Sequence, residues 1–227
     1  MRMPPTGAGD PSHELPSKEE LRRRFRRRRR ERQGAAAAGI LTAAQRELPP
    51  RLAPGRRLGL WWPIGAEPDL RPLAAQLERQ GAGQLALPAV HAWPPPSPSL
   101  RLLYLPWHPD APLAPDACGI PSPPAPAQGE APLAPHQLAL LLVPALAIDR
   151  HGIRLGSGGG WYDRLRADPS WRSVPALAVL PAACVSPTPL PRDPWDVPFD
   201  GWLDETGLHP IHPPPGAGPA ADFIASS

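Results

Sequence analysis

A run of apolar residues that breaks into a glycine-rich loop constrains this chain more than any other feature. The chain is continuously apolar from Leu138 to Val143, and Pro144 follows. Such a run is typical of a strand buried on both faces, and proline ends it because proline has no N–H for the ladder. Further on the chain reads Arg154-Leu-Gly-Ser-Gly-Gly-Gly-Trp-Tyr-Asp163. The whole stretch predicts a strand, a glycine loop and a helix.

The loop is suited to binding an anion. Without a Cβ, its glycines let backbone N–H groups turn toward a phosphate, beside the positive end of the next helix. Arg154 could hold phosphate oxygens bidentately, and Asp163 is placed for the magnesium that accompanies a nucleotide. The loop is not a P-loop, because no Gly-Lys-Ser/Thr follows, and Trp161 breaks the dinucleotide fingerprint. A flexible linker is the alternative, and the preceding core strand argues against it.

The same residues resemble a known family. The Arg154–Asp163 segment, preceded by Pro144-Ala-Leu-Ala-Ile-Asp-Arg-His-Gly152, closely resembles the signature of 5-formyltetrahydrofolate cyclo-ligases, or methenyltetrahydrofolate synthetases. The resemblance covers about Lys18 to Leu203. It implies an enzyme that uses ATP and Mg²⁺ to cyclise 5-formyltetrahydrofolate to 5,10-methenyltetrahydrofolate. ADP and phosphate are released, and the reaction passes through a phosphorylated formyl intermediate.

Composition and charge bound the class of protein. The chain has 227 residues and is 41% hydrophobic, which is ordinary for one globular domain. Two cysteines far apart, Cys118 and Cys184, argue against a disulfide scaffold or a zinc ribbon and fit a reducing compartment. No apolar run reaches the length of a membrane span, and the start has no signal-peptide pattern. We therefore expect a cytoplasmic protein that does not insert into membranes, and a monomer.

The positive charge of the chain is concentrated in one helix, although the net charge is only +3. Ser17 and Glu20 form a capping box, which predicts a helix from there toward Leu48, ended by the two prolines that follow. The segment Arg22–Arg32 holds nine arginines and one glutamate. RNA binding by this helix is one interpretation, but Phe25 is the only aromatic available for base stacking, so a solvated helix face is favoured.

A second strand, loop and helix come earlier in the chain. The segment 57–62, ending in Trp61 and Trp62, predicts a strand. The apolar spacing over 70–80 predicts a helix that Asp69 could cap. The cyclo-ligase family has a similar strand that ends before a Pro-x-x-x-Glu-Pro stretch, and the resemblance implies that Trp62 and Glu67 contact folate.

Further apolar runs complete the predicted sheet. We expect strands over 84–88, 100–105, 175–180 and 201–203, and surface loops between 106 and 136. The alternation of strands and helices predicts an α/β fold with three α/β/α layers and a mostly parallel, Rossmann-like open sheet. We expect a disordered leader over 1–16, a single domain over 17–207 and a disordered tail over 208–227.

The resemblance assigns roles to individual residues. The metal is assigned to Asp163 and to Asp196, whose neighbour Trp195 departs from the usual histidine. Substrate contacts are assigned to Trp62, Glu67, Gly158, Gly160 and Trp161. ATP contacts are assigned to Lys18, Arg22, Arg154, Leu155, Gly156, Ser157, Gly158, Gly159, Gly160, Trp161 and Tyr162. No nucleophile is expected. One alternative is an enzyme with the same fold that acts on another anionic small molecule, such as a sugar phosphate isomerase, and the other is the RNA-binding protein.

Overall fold

The computed structural model describes residues 16–52, 54–80 and 84–211. The predicted leader, except for Pro16, and the predicted tail from residue 212 onward lie outside the described residues. The helices are α1 (Lys18–Glu47), α2 (Pro72–Arg79), α3 (Trp161–Ala167) and α4 (Pro169–Arg172), with short 3₁₀ turns at Pro49–Arg51, Pro135–Gln137 and Ala182–Cys184. No helix in these ranges is both long and apolar enough to cross a membrane.

The strands form one large sheet and two small ones. They are β1 (Arg57–Gly59), β2 (Gln84–Ala92), β3 (Leu100–Trp107), β4 (Ala114–Pro115), β5 (Pro121–Ser122), β6 (Leu138–Pro144), β7 (Ala147–Asp149), β8 (Arg154–Leu155), β9 (Ala176–Val179), β10 (Val185–Ser186), β11 (Gly201–Asp204) and β12 (Gly207–Pro210). The large sheet has the order β12-β11-β9-β6-β1-β2-β3, and its five inner strands are parallel. Only the edge strands β3 and β12 are antiparallel. The predicted mostly parallel α/β sheet is confirmed.

Strand β6 shows why the sheet is covered on both faces. Its residues Leu140 and Leu142 pack with Ile40 of α1 and Leu73 of α2, whereas Leu141 and Val143 belong to the opposite cluster. Side chains alternate between the two faces of a strand, so a run that is apolar throughout needs cover on both sides. Helices α3 and α4 lie on that opposite side, where Leu165 and Trp171 are half-buried.

Helix α1 joins the two layers. Its capping box is present, because Ser17 Oγ accepts from Glu20 N and Glu20 accepts from Ser17 N. With 30 residues, the helix is about 45 Å long at 1.5 Å per residue. Phe25, near its beginning, packs with the cluster that contains Leu141, and Ile40, near its end, packs with the other. The helix therefore crosses from one layer to the other.

Several predicted boundaries differ from the structure. Between β6 and the glycine loop, the chain forms β7 and β8 of a three-stranded sheet, instead of leading directly into the loop. The carboxylate of Asp149 stabilises this turn by accepting from the N–H groups of His151, Ile153 and Leu190. Strands of two or three residues are too short to show a periodicity, so the sequence pattern does not reveal them.

Two other predictions need correction. Asp69 does not cap α2, which begins at Pro72 with Arg71 at the N-cap. Asp69 accepts instead from the backbone and side chain of Arg71. The tail boundary after residue 207 is too early, because Gly207–Pro210 forms the hairpin strand β12, where His209 stacks on Trp202 at a ring distance of 4.9 Å.

Candidate active site

A cavity of about 410 Å³ lies where the glycine loop, the first turn of α1 and the 193–196 turn meet. We call it the charged cavity. It is lined by Lys18, Arg22, Arg154, Leu155, Gly156, Gly158, Gly160, Asp163, Arg164, Ala167, Asp193, Trp195 and Asp196. Four of these side chains are cations and three are carboxylates. Ligands of open parallel sheets bind at the carboxyl ends of the strands, and Arg154 contacts the last residue of β6 there.

Arg154 is fixed by its neighbours. Its side chain is only 6% exposed. Nη1 donates to the carbonyl oxygen of Pro144 at 3.3 Å, and Nη2 donates to Asp163 Oδ1 at 2.9 Å. The guanidinium also lies 5.5 Å from the ring centre of Tyr162. A guanidinium held in this way loses little conformational freedom when an anion binds.

Arginines bind the carbonyl oxygens of the glycine loop. Arg22 Nε donates to Gly156 O at 3.3 Å, and Arg26 Nη2 donates to Ser157 O at 3.3 Å. Arg164 Nη2 donates to the oxygen of the next glycine, residue 159, at 2.9 Å. Within the part of the chain that the structure describes, the N–H groups of residues 158, 159 and 160 donate to no other residue. Those N–H groups are available to an anion.

Two glycines set the path of the loop. Gly158 has φ +115° and Gly160 has φ +65°, which is the left-handed region that other residues rarely adopt. Gly156 is required for a different reason. A Cβ there would lie 2.8 Å from Arg154 Nη1, so a side chain would push the guanidinium away.

Lys18 bridges two carboxylates at the other wall of the cavity. Its Nζ lies 2.6 Å from Asp193 Oδ2 and 3.0 Å from Asp196 Oδ2. Burial lowers the pKa of Lys18, but its hydrogen bonds to the two aspartates outweigh that effect and raise the pKa overall. Asp196 also accepts from Asp193 N at 2.7 Å, which closes the turn.

The carboxylates suit a magnesium ion that arrives with a nucleotide. Within residues 16–52, 54–80 and 84–211, no group of three or more His, Cys, Asp or Glu side chains is arranged to hold a metal alone. Mg²⁺ commonly uses only one or two carboxylates and takes its other ligands from phosphates and water. Asp163 and Asp196 therefore fit that ion as oxygen donors, and both are now paired with cations, Arg154 and Lys18.

Some residues assigned to ATP lie outside the charged cavity. The backbone oxygens of Ser157 and Gly159 accept from arginines, and Tyr162 lies against Arg154. Trp161 lines a neighbouring cavity. Two charged residues that line the charged cavity, Asp193 and Arg164, were not predicted. The signal for Asp193 was its position three residues before Asp196 in one turn.

The neighbouring cavity is aromatic. Its volume is about 440 Å³, and we call it the aromatic cavity. It is lined by Trp93, Ser99, Leu100, Arg101, Leu102, Leu103, Tyr104, Pro132, Leu133, Trp161, Arg164, Leu165, Asp168 and Trp171. Arg164 lines both cavities, with its guanidinium 4.4 Å from the ring centre of Trp161. The charged and aromatic cavities are therefore neighbours across one side chain.

The two folate residues assigned to the first strand and loop line neither cavity. The ring of Trp62 lies 4.2 Å from the guanidinium of Arg71. Glu67 is buried and forms an ion pair with Arg29 at 3.5 Å. Burial raises the pKa of Glu67, although the charges of Arg29 and Arg154 act in the opposite direction. Glu67 is thus within electrostatic range of Arg154, and its buried partner, Arg29, belongs to the arginine run.

The arginine run divides between two faces of α1. Four members donate to carbonyl oxygens of the protein body: Arg22, Arg26, Arg28 and Arg29. Five others are exposed: Arg23, Arg24, Arg27, Arg30 and Arg32. The prediction of a solvated face therefore describes about half of the run. The other members are bound to the protein body, and two of them, Arg22 and Arg26, hold the glycine loop.

Together, the open parallel sheet and the charged cavity define an α/β protein with an anion site at the carboxyl ends of its strands. Comparisons with known proteins agree. Residues 14–204 match the model of the 5-formyltetrahydrofolate cyclo-ligase family. The chain belongs to this family and is an enzyme of that kind.

Individual relatives support the assignment. The 5-formyltetrahydrofolate cyclo-ligase of Haemophilus influenzae is 32% identical over 145 residues, which cover 63% of this chain and 73% of the relative. The enzyme of the same name from Escherichia coli is 34% identical over 134 residues, covering 59% and 69%.

Solved structures show the same fold. The 5,10-methenyltetrahydrofolate synthetase of Aquifex aeolicus has a TM-score of 0.63 and 26% identity, covering 89% of this chain and 96% of the other. The synthetase of Mycoplasma pneumoniae has a TM-score of 0.61 at 18% identity, covering 84% and 99%, and supports the fold alone.

Proposed function

We propose that the enzyme cyclises 5-formyltetrahydrofolate to 5,10-methenyltetrahydrofolate with the hydrolysis of ATP to ADP and phosphate. The observation that supports this most strongly is the pair of cavities joined at Arg164. One cavity has the charges that a triphosphate needs, and the other has the flat apolar walls that a pterin needs. A reaction that joins a phosphoryl group to a folate requires those two surfaces side by side.

The charged cavity would bind the triphosphate. Lys18, Arg22 and Arg154 supply positive charge, and the N–H groups of the glycine loop supply neutral donors. Charge-assisted hydrogen bonds from guanidinium to phosphate are shorter and stronger than neutral ones. Because Arg22 and Arg26 already bind the loop carbonyls, the loop is ordered before the anion arrives, which lowers the entropy that binding costs.

The aromatic cavity would bind the folate. Three tryptophans, Trp93, Trp161 and Trp171, offer ring faces to the pterin and the aminobenzoyl group, and the fully buried Tyr104 supports this wall by stacking on Trp171. Arg101 and Arg164 line the same cavity, and their guanidinium groups are suited to the glutamate carboxylates. Trp62 and Glu67, which the resemblance assigns to folate, line neither cavity. Glu67 would act through Arg29 and Arg154, and a folate contact by Trp62 stays a prediction.

The chemistry needs positioning more than covalent help from the protein. The formyl oxygen on N5 attacks the γ-phosphorus, and the bond to ADP breaks. N10 then closes on the formyl carbon and loses its proton, and phosphate leaves with the former formyl oxygen. Arg164 lies between the two cavities and Arg154 lines the charged one, so both are near the place where negative charge develops, first on the departing ADP and then on the departing phosphate. Holding the reactants in line and neutralising that charge supplies most of the acceleration in phosphoryl transfer.

Mg²⁺ would be held by Asp163 and Asp196 together with phosphate oxygens. When bound, it neutralises charge on the phosphates and orients them. Lys18 would then release Asp196 and turn toward the nucleotide.

Ser157 and Gly159 stand where family members often carry an aromatic or basic residue, so this chain relies more on arginines from α1 to hold the loop.

The direct test is to mix the protein with ATP, Mg²⁺ and 5-formyltetrahydrofolate and to follow the methenyl chromophore. We expect the chromophore to appear only when all three are present, with one ADP formed per methenyl group. Arg164→Gln should lower the rate, whereas Arg150→Gln, at an exposed arginine of the β7–β8 turn, should not.

An enzyme for sugar phosphates would give no chromophore and no folate-dependent ADP. An RNA-binding protein would lose its salt-sensitive RNA affinity when the exposed arginines of α1 are replaced.

A further inference from the structure

Trp195 is the most exposed large apolar side chain in the described part of the chain. Its exposed fraction is 60%, and those of Leu100 and Ile64 are 47% and 44%. Across residues 16–52, 54–80 and 84–211, no aromatic ring stacks on this indole and no guanidinium lies over it. A ligand that covers such an open ring removes apolar surface from water and gains free energy.

The same indole lines the charged cavity. The rest of the lining consists of charged side chains, glycines, Leu155 and Ala167. Leu155 is only 3% exposed, so Trp195 supplies the main apolar surface that a ligand in this cavity can reach. A nucleoside triphosphate has a charged end and a flat end. The charged lining suits the phosphates, and Trp195 suits the base.

The 193–196 turn places the indole at the mouth of the cavity. The side chain of Asp196 is 15% exposed and bound to Lys18, whereas the next residue back, Trp195, is 60% exposed. The two neighbours therefore point in different directions, the carboxylate inward and the ring outward. With the phosphates and the metal at Asp196 and the glycine loop, the other end of the nucleotide reaches the mouth.

We propose that Trp195 is the stacking platform for the nucleobase, so that the enzyme selects its triphosphate by the size of the base and hardly by its hydrogen-bonding edge. This inference rests on the proposed use of a nucleoside triphosphate. The polar groups beside the indole are engaged, because Asp193 and Asp196 bind Lys18. In the proposed complex Asp196 and Lys18 serve the metal and the phosphates. Stacking accepts every base, since each base has a π face.

The test compares ATP with inorganic tripolyphosphate, which has three phosphates and no base. Binding is measured by calorimetry with Mg²⁺ and without folate, so that no phosphoryl acceptor is present. Trp195→Ala should weaken ATP binding about tenfold and leave tripolyphosphate within a factor of two. Trp195→Phe, which keeps a ring, should bind ATP within about threefold of the unaltered enzyme. Unchanged ATP affinity in Trp195→Ala, or an equal loss for both ligands, would overturn the proposal.

A series of bases gives a second readout. The unaltered enzyme should bind GTP within about threefold of ATP, and UTP about fivefold more weakly, because a pyrimidine covers less of the indole. The difference between ATP and UTP should shrink in Trp195→Ala. A preference of more than tenfold for ATP over GTP would instead mean that the base is read at its edge. If Trp195→Ala fails to fold, this series and Trp195→Phe decide.

Controls separate this inference from the proposed reaction. Ile64→Ala removes another exposed apolar side chain that does not line the charged cavity, and it should leave the affinity for ATP unchanged. Formation of the methenyl chromophore by the unaltered enzyme reports on the reaction alone. If the chromophore forms and Trp195→Ala binds ATP normally, only the stacking is wrong. Absence of saturable ATP binding at millimolar concentration would reject both.

Discussion

Arg154 and Asp163 form an ion pair beside the glycine loop, with Arg154 Nη2 2.9 Å from Asp163 Oδ1. The pair joins the last residue of β6 to the first turn of α3, because Arg154 also donates to the Pro144 oxygen. Its two members have different exposures, 6% for the Arg154 side chain and 35% for that of Asp163. The carboxylate can therefore exchange the arginine for another cation at little cost, whereas the guanidinium stays in place.

Asp163→Asn tests the carboxylate. The amide oxygen can still accept from Arg154, so we expect the thermal midpoint to change little. We expect folate-dependent ATP turnover to fall about a hundredfold or more, as when one group that stabilises transferring charge is removed. Asp110→Asn is the control, since the side chain of Asp110 is 93% exposed. Turnover within a factor of two of the unaltered enzyme would remove Asp163 from the metal assignment.

Gly156→Ala tests the fit between the loop and Arg154. The added Cβ meets Arg154 Nη1 at 2.8 Å, so the guanidinium must shift, and we expect the KM for ATP to rise about tenfold. Gly34→Ala is its matched control in α1, where a Cβ meets nothing within 4 Å. That change should stabilise the protein by about 0.5–1 kcal/mol and leave the KM unchanged. Steady-state kinetics and urea unfolding measure both, and equal kinetics in the two variants would contradict the prediction.

Lys18→Gln tests the bridging lysine. The variant loses the charge that Asp193 and Asp196 now bind. If Lys18 turns to the nucleotide, the KM for ATP should rise about tenfold to a hundredfold, the usual cost of one charge-assisted hydrogen bond. Arg23→Gln, at an exposed position of the same helix, should have no effect. The interpretation fails if both variants keep the original KM for ATP.

Arg29→Met tests the buried ion pair with Glu67. Both side chains are less than a tenth exposed. Removing the arginine leaves a carboxylate buried without its partner, and we expect the free energy of unfolding to fall by about 3–5 kcal/mol. Adding Glu67→Gln to this variant should restore much of the loss, because no unpaired charge remains. Arg30→Met, at the next and exposed position, is the control. A double variant no more stable than Arg29→Met would show that the charge is not the cause.

The pH dependence of stability should report on Glu67. Burial raises the pKa of this carboxyl in the folded state, so the folded state binds the proton more tightly than the unfolded chain. The stability from that proton is fully present below about pH 4.3 and is lost as the pH rises through the folded pKa. The free energy of unfolding of the unaltered protein, minus that of Glu67→Gln, should therefore decrease as the pH rises above about 4.3. Urea titrations of both proteins measure it, and a difference that rises with pH would reverse the assigned sign.

The sequence predicted those elements of the fold that follow from the spacing of apolar residues or from the residues that cap a helix. The apolar run of β6 and the capping box at Ser17 and Glu20 are both present, because each is a local property of a few residues. The small sheet of β7, β8 and β10 was missed because its strands have two or three residues. Arg29 was missed as the partner of Glu67, because this pairing depends on which face of α1 meets the body. The monomeric state and the cytoplasmic location stay predictions.

Part of the site could be found from the sequence, and part could not. Lys18, Arg22, Arg154, Asp163 and Asp196 do line one cavity. The topology of a parallel sheet predicted that the loops of Asp163 and Asp196 converge, whereas Lys18 and Arg22 were implied only by the family resemblance. Trp161 lies on the aromatic side instead, because adjacent residues at a helix start point in different directions. Which of the two cavities a residue lines depends on the direction of its side chain, and the sequence does not show that direction.

Helix α1 makes the charged cavity depend on the first turn of this helix. Lys18 and Arg22 belong to the charged cavity, while Ile40 and Ala44 of the same helix are part of the core. A bulky fusion partner or a proteolytic nick that unwinds residues 18–22 would thus switch off nucleotide binding and leave the sheet folded.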